Sequence, residues 1–141
     1  MAYSFDDGIR PVTFVAGEDL TAKQYYAVKP GSVLGEVKVA NGASNPAPIG
    51  ILQDSGSTGQ AVAVKCHGFT LARVIAAVVA EAASAACDVD AGHTLAAGSD
   101  GQLHYANVYA FNARSFGFIT TGSAVINVLW VGLGASAISA I

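Results

Sequence analysis

Charge is what this chain has least of. Asp, Glu, Lys and Arg make up 12% of its 141 residues, about half the usual share. Seven basic against ten acidic residues leave a net charge of −3, and no basic block occurs anywhere. That excludes an electrostatic nucleic-acid binder, which needs clustered Lys and Arg against phosphates. Two cysteines, Cys66 and Cys87, are too few for a disulfide framework. They read as small buried reduced thiols rather than as a pair. Cys66, His67, Cys87 and His93 offer four possible zinc ligands, but no CxxC or HxxxH spacing joins them. No metal and no cofactor are expected. Catalytic signatures are missing too: there is no HExxH, P-loop, GxGxxG or serine elbow. Residues 1–11 contain Asp6-Asp7 and no apolar run, so they do not read as a secretory signal. Residues 115–141 carry no charge, and length alone would allow a membrane span. Gly117, Gly122, Gly132, Gly134 and Asn127 interrupt the stretch, and no flanking Lys or Arg anchors it. It reads as buried strand followed by a small-residue tail.

What is present is apolar and turn-rich. Hydrophobic residues reach 52%, which excludes a disordered chain. Size scaling buries roughly two-thirds of the unfolded surface at this length, enough for a core. So few charges cannot solvate a whole surface, so some apolar area is expected to lie against other subunits. Turn signals stand at Pro30-Gly31-Ser32, Asn41-Gly42, Asn45-Pro46, Ser55-Gly56-Ser57 and Asp100-Gly101. Between them run short β-patterned stretches: 12–15, 25–29, 33–39, 61–65 and 125–131. The last is continuously apolar, as if buried on both faces. Strands at this spacing predict a small β-barrel or sandwich. Residues 71–86 depart from the pattern. Alanine favours helix, whereas Val74, Ile75, Val78 and Val79 favour strand. The stretch reads as strand to about Ile75, then as a short Ala-rich helix around 74–86 or a loop.

A loose internal repeat runs through the chain. Ile49-Gly50-Ile51-Leu52 followed by Gly59 to Val64 parallels Phe116-Gly117-Phe118-Ile119 followed by Gly122 to Asn127. Val15 to Leu20 parallels Asp90 to Leu95. The offset of roughly 65–75 residues argues for two similar β units. In the two Ala-Gly-x-x-Leu elements, Gly17 and Gly92 suit positive φ, and Leu20 and Leu95 then point into the core. The expected organisation is an arm at 1–10, a β domain over 11–133 and a tail over 134–141.

Few residues could run a reaction. His67 and His104 read as strand residues rather than bases. Asp54-Ser55-Gly56 resembles the Asp-Ser/Thr-Gly loop of aspartic proteases, in which two carboxylates share a proton. A homodimer could pair two copies of Asp54. However, Gln53 separates Asp54 from the apolar strand, and Thr120-Thr121-Gly122 in the repeat supplies no acid. Asp54 is expected to cap a loop. Tyr25 and Tyr26 face opposite sides of a strand, and Tyr105 and Tyr109 have no basic residue among them, so no stacking platform forms.

The arrangement of apolar-Ala-Gly-x-x-Leu, Ile-Gly-Ile and Gly-x-x-Val-x-Val occurs at 15–20, 49–52 and 59–64. It recurs at 91–95, 98–102 and 116–128. It resembles the small β-rich decoration (cement) proteins of tailed-bacteriophage capsids and related short proteins encoded near phage head genes. The resemblance implies a β-tulip-like fold and a non-enzymatic structural role. Such a protein would bind the outer surface of the mature capsid as a homotrimer and bridge subunits of the major capsid protein. It would be made in the bacterial cytoplasm and reside on the virion exterior. No nucleic acid, membrane or small-molecule substrate is implied. The alternatives are another phage part (a head-fibre base or tail module), a non-viral β-barrel binding module and the Asp54 protease. Within the arm, Tyr3, Phe5, Asp6, Asp7, Ile9 and Arg10 are the candidate capsid or subunit contacts, since aromatic residues and Arg dominate interface hot spots.

Overall fold

A computed structural model describes residues 7–42, 47–76, 89, 91–105, 112–119 and 122–132. These form ten strands, and no helix occurs among the described residues. In chain order they are β1 (Val12–Ala16), β2 (Ala27–Pro30), β3 (Glu36–Val39), β4 (Gly50–Leu52) and β5 (Ala61–Lys65). The second half supplies β6 (Gly68–Ile75), β7 (Thr94–Ala97), β8 (Leu103–Tyr105), β9 (Ala113–Ser115) and β10 (Ser123–Trp130).

The strands close into two five-stranded barrels, ordered β1-β3-β2-β4-β5 and β6-β8-β7-β9-β10. The two have the same topology. In each, the first and third strands pair parallel, at Val15↔Glu36 in one and Val74↔Leu103 in the other. The first and last strands pair antiparallel and seal the ring. The two similar units are therefore real, and each closes on itself.

The register of the repeat differs from the sequence reading. Strand order makes β9 the counterpart of β4, so Ala113–Ser115, not Phe116–Ile119, matches Gly50–Leu52. Phe116-Gly117-Phe118 lies just beyond the strand. In the other motif, Gly92 does have positive φ, at 91°. Gly17 does not; its reason is close approach, since a Cβ there would lie 3.2–3.3 Å from Glu36 and the Val37 carbonyl. Leu20 and Leu95 are both fully buried.

The sequence placed 61–65 correctly and β1 within a residue. Residues 33–39 contract to β3, because Val33 and Leu34 belong to the turn. The long strand β10 alternates buried with half-buried residues rather than burying both faces. Strand character does run to Ile75 at the end of β6. Residues 77–88, where the Ala-rich helix or loop would lie, fall outside the described residues, as do Cys87 and the tail 134–141. No described helix is long and apolar enough to cross a membrane.

One apolar cluster fills the first barrel, around Leu20, Val28, Val37, Leu52, Val62 and Val64. A second fills the other barrel, around Val74, Leu95, Leu103, Val128 and Trp130. It also recruits Ala27, Ala40 and Ile51 from the first barrel. The barrels thus share part of a core. Polar bonds fix their docking: Arg73 N–H donates to the Tyr25 carbonyl at 2.8 Å, and Ala27 N–H to the Gly101 carbonyl at 2.9 Å. The Gln53 side-chain amide donates to Thr70 Oγ1 at 2.8 Å. Tyr25 has φ 70°, rare for a residue with a side chain. Its two backbone bonds, to Leu52 and Arg73, hold it there.

Candidate interaction surface

Among the described residues, those that could do chemistry are dispersed: His67 is exposed in the link between β5 and β6, outside any strand, and others serve the structure. Asp54 is exposed, and its Oδ1 accepts the Ala63 N–H at 3.0 Å, latching the β4–β5 loop as a cap. His104 is buried with Nδ1 3.1 Å from the Tyr105 carbonyl. His93 stacks on Tyr105 at 4.5 Å. Cys66 is a free, half-buried thiol, and burial pushes its pKa up, away from reactive thiolate. Among the described residues no cluster of His, Cys, Asp or Glu could hold a metal ion.

Surface features carry more information. At one end of the first barrel, where β2 ends and β3 begins, an open groove of about 630 Å³ is lined by Phe14, Pro30, Val33, Leu34, Ile49 and Cys66. Glu36 is the only charged lining residue. Leu34 is fully exposed at the hairpin tip, and Val33 is 62% exposed. Exposed apolar surface of this kind is a candidate interaction site. On the second barrel, Arg114, Phe116 and Phe118 all face outward, with Phe118 71% exposed. Phe116 packs edge-on against Phe69, with ring centroids 5.2 Å apart.

The arm candidates divide. Tyr3, Phe5 and Asp6 lie outside the described residues. Ile9 and Arg10 are exposed. Asp7 forms a clamp. Lys65 Nζ donates to its Oδ1 at 2.8 Å, as does Ile9 N–H at 2.9 Å, while Phe69 N–H donates to Oδ2 at 2.7 Å. Lys65 also donates to the Ile9 carbonyl. Lys65 ends β5 and Phe69 is the second residue of β6, so one carboxylate ties the chain start to both barrels at their covalent link. The Lys65 hydrogen bond, then those from Ile9 and Phe69, hold the Asp7 pKa down at about 2. Gly68 belongs to this clamp: a Cβ there would collide with Asp7 Oδ2 and come 2.9 Å from Ile9 Cδ1.

No family model and no curated protein matches the chain. A solved structure does. The N base of head fiber gp8.5 in bacteriophage phi29 aligns over 88% of this chain and 95% of that one, with a TM-score of 0.56. In fold, the chain resembles a phage head-fiber base. Sequence identity is 16%, so the likeness is one of architecture.

Sequence reasoning missed the groove and the aromatic stripe. Their signal was present in the apolar pair Val33-Leu34 beside Gly35 and in the alternation Arg114-x-Phe116-x-Phe118. Both had been assigned to strand interiors.

Proposed function

We propose that this chain is a structural protein of a bacteriophage head, a capsid-bound base module of the head-fiber kind. The observation that carries the reading is the pair of topologically identical barrels, which aligns along nearly the whole length of such a base. The exposed apolar tip and stripe, the low charge and the structural use of Asp54 and His104 support an assembly role. Its place is then the virion exterior and its partner the major capsid protein. Co-sedimentation with purified heads of the phage that encodes it tests this. Saturable binding at a fixed ratio to capsid subunits is expected; recovery in the supernatant alone refutes it.

The motif resemblance supports a second reading, a decoration protein that stabilises the mature shell by bridging capsid subunits as a homotrimer. Binding only the assembled lattice stabilises it by mass action. Heads with bound protein should then rupture at a higher temperature than bare heads, whereas a pure fiber base leaves rupture unchanged. The arm is part of either reading. Deleting residues 2–6 removes Tyr3, Phe5 and Asp6 and spares the Asp7 clamp; capsid affinity should fall while the melting temperature holds.

A further inference from the structure

We propose that the groove on the first barrel receives the Arg114-Phe116-Phe118 stripe of a second copy of this chain, in a head-to-tail contact. The stripe alternates with buried Ala113 and Ser115, so its three side chains project together from one face of β9 and the turn after it. It offers two aromatic rings beside a cation. The groove offers the complement: an apolar floor of Phe14, Ile49 and Cys66, an aliphatic wall of Val33 and Leu34, and the single carboxylate of Glu36. Arg114 uses one guanidinium nitrogen on the Gly92 carbonyl, at 2.9 Å; a guanidinium has five N–H donors, so others remain for a carboxylate.

Charge decides the occupant and the symmetry. In a chain so poor in charge, the groove lining holds one carboxylate, Glu36, with Lys38 at its rim on Ser32 Oγ at 3.5 Å, and the stripe holds one cation, Arg114. Groove against groove would oppose two Glu36, and stripe against stripe would oppose two Arg114. Only groove against stripe brings apolar surface and opposite charges together. Both halves sit on every copy but on different barrels, so the contact is heterologous, and repeated use closes a ring if the rotation allows.

Light scattering on the full chain across a concentration series tests this. The wild type should show a mass that is a whole multiple of the monomer. Leu34→Asp and Phe118→Asp alter exposed side chains, so both variants should keep the wild-type melting temperature of the separated chain. Each should raise the dissociation constant by roughly 30-fold or more, as loss of a hot spot does. Mixing the two variants gives the decisive reading. Each retains one intact half, so the mixture should form one-to-one heterodimers and nothing larger. Arg114→Glu and Glu36→Arg should each weaken assembly, and the double variant should recover it. A wild type that is monomeric throughout overturns the proposal, as does a mixture that stays monomeric. If Leu34→Asp loses capsid binding while the wild-type mass persists, the groove serves another protein and the proposal is wrong.

Discussion

Gly101→Ala examines how the barrels are held together. Gly101 sits in the β7–β8 turn of the second barrel with φ 84°, and its carbonyl accepts the Ala27 N–H of the first. A Cβ here would collide with Val39 Cγ1 and come within 3.3 Å of the Ala27 carbonyl and the Tyr26 ring. Two costs add. Left-handed backbone costs a residue with a Cβ about 1–2 kcal/mol. Forcing a methyl against packed neighbours costs about 1–3 kcal/mol more. The sum, about 2–5 kcal/mol, is a large share of the ~5–15 kcal/mol that stabilises an ordinary domain. Gly59→Ala is the control: φ is 89°, and nothing lies within 4 Å of the added methyl. It carries the backbone cost alone. Urea unfolding of both variants isolates the difference, expected at about 1–3 kcal/mol. Hydrogen exchange at the Ala27 amide should accelerate in Gly101→Ala and not in Gly59→Ala. Equal destabilisation by the two substitutions, with Ala27 protection unchanged, would refute the account of docking.

Asp7→Asn should flatten the acid limb of stability. The folded pKa of about 2 lies below the ordinary aspartate value of 3.8, so the contribution is present above about pH 4 and lost as pH falls toward 2; melts from pH 5 to 2 should converge for wild type and variant at the acid end. Trp130 is fully buried and its Nε1–H has no partner among the described residues. Trp130→Phe removes that unmet donor, so its penalty should be far smaller than the ~3–5 kcal/mol of Trp130→Ala, read by chemical denaturation with circular dichroism. Asp54→Ala should cost about 0.5–1.5 kcal/mol through loss of the Ala63 bond; if it abolished a measurable proteolysis instead, the capping role would be wrong.

Legibility followed strand length and locality. Residues 61–65 and 12–15 could be placed because each pairs β-branched alternation with a flanking turn. Strands β7, β8 and β9 are three or four residues long, and β7 and β9 contain Ala96, Ala97 and Ala113; alanine is a poor β marker. No alternation can show over three residues. Parallel pairing of β1 with β3 leaves no local trace, because it depends on barrel closure. The slip in repeat register has the same origin. Phe116-Gly117-Phe118 looks more like a strand than Ala113-Arg114-Ser115, although the shorter segment makes the ladder. The exposed stripe was therefore read as core. The Asp7 clamp left no mark in the sequence, because a carboxylate 58 residues from its lysine gives no local cue.

A single barrel of this kind has few residues with which to build a core. Size scaling leaves a 60-residue unit burying only about 60% of its unfolded surface, and marginally stable for that reason. Sharing Ala27, Ala40 and Ile51 with the second barrel's cluster moves the joined pair to more favourable scaling. Pairing two barrels thus answers a stability problem first. It then frees the rims. Core positions of the two barrels stay apolar, because closure demands it, while the ends are released from that demand. One end displays Val33 and Leu34 over an acidic groove, and the turn after β9 displays two phenylalanines beside an arginine. Identical barrels joined in one chain could offer only like surfaces to one another. Barrels that keep their topology and diverge at their edges can offer complementary ones, and the difference between Leu34 and Phe118 marks where that divergence should be sought.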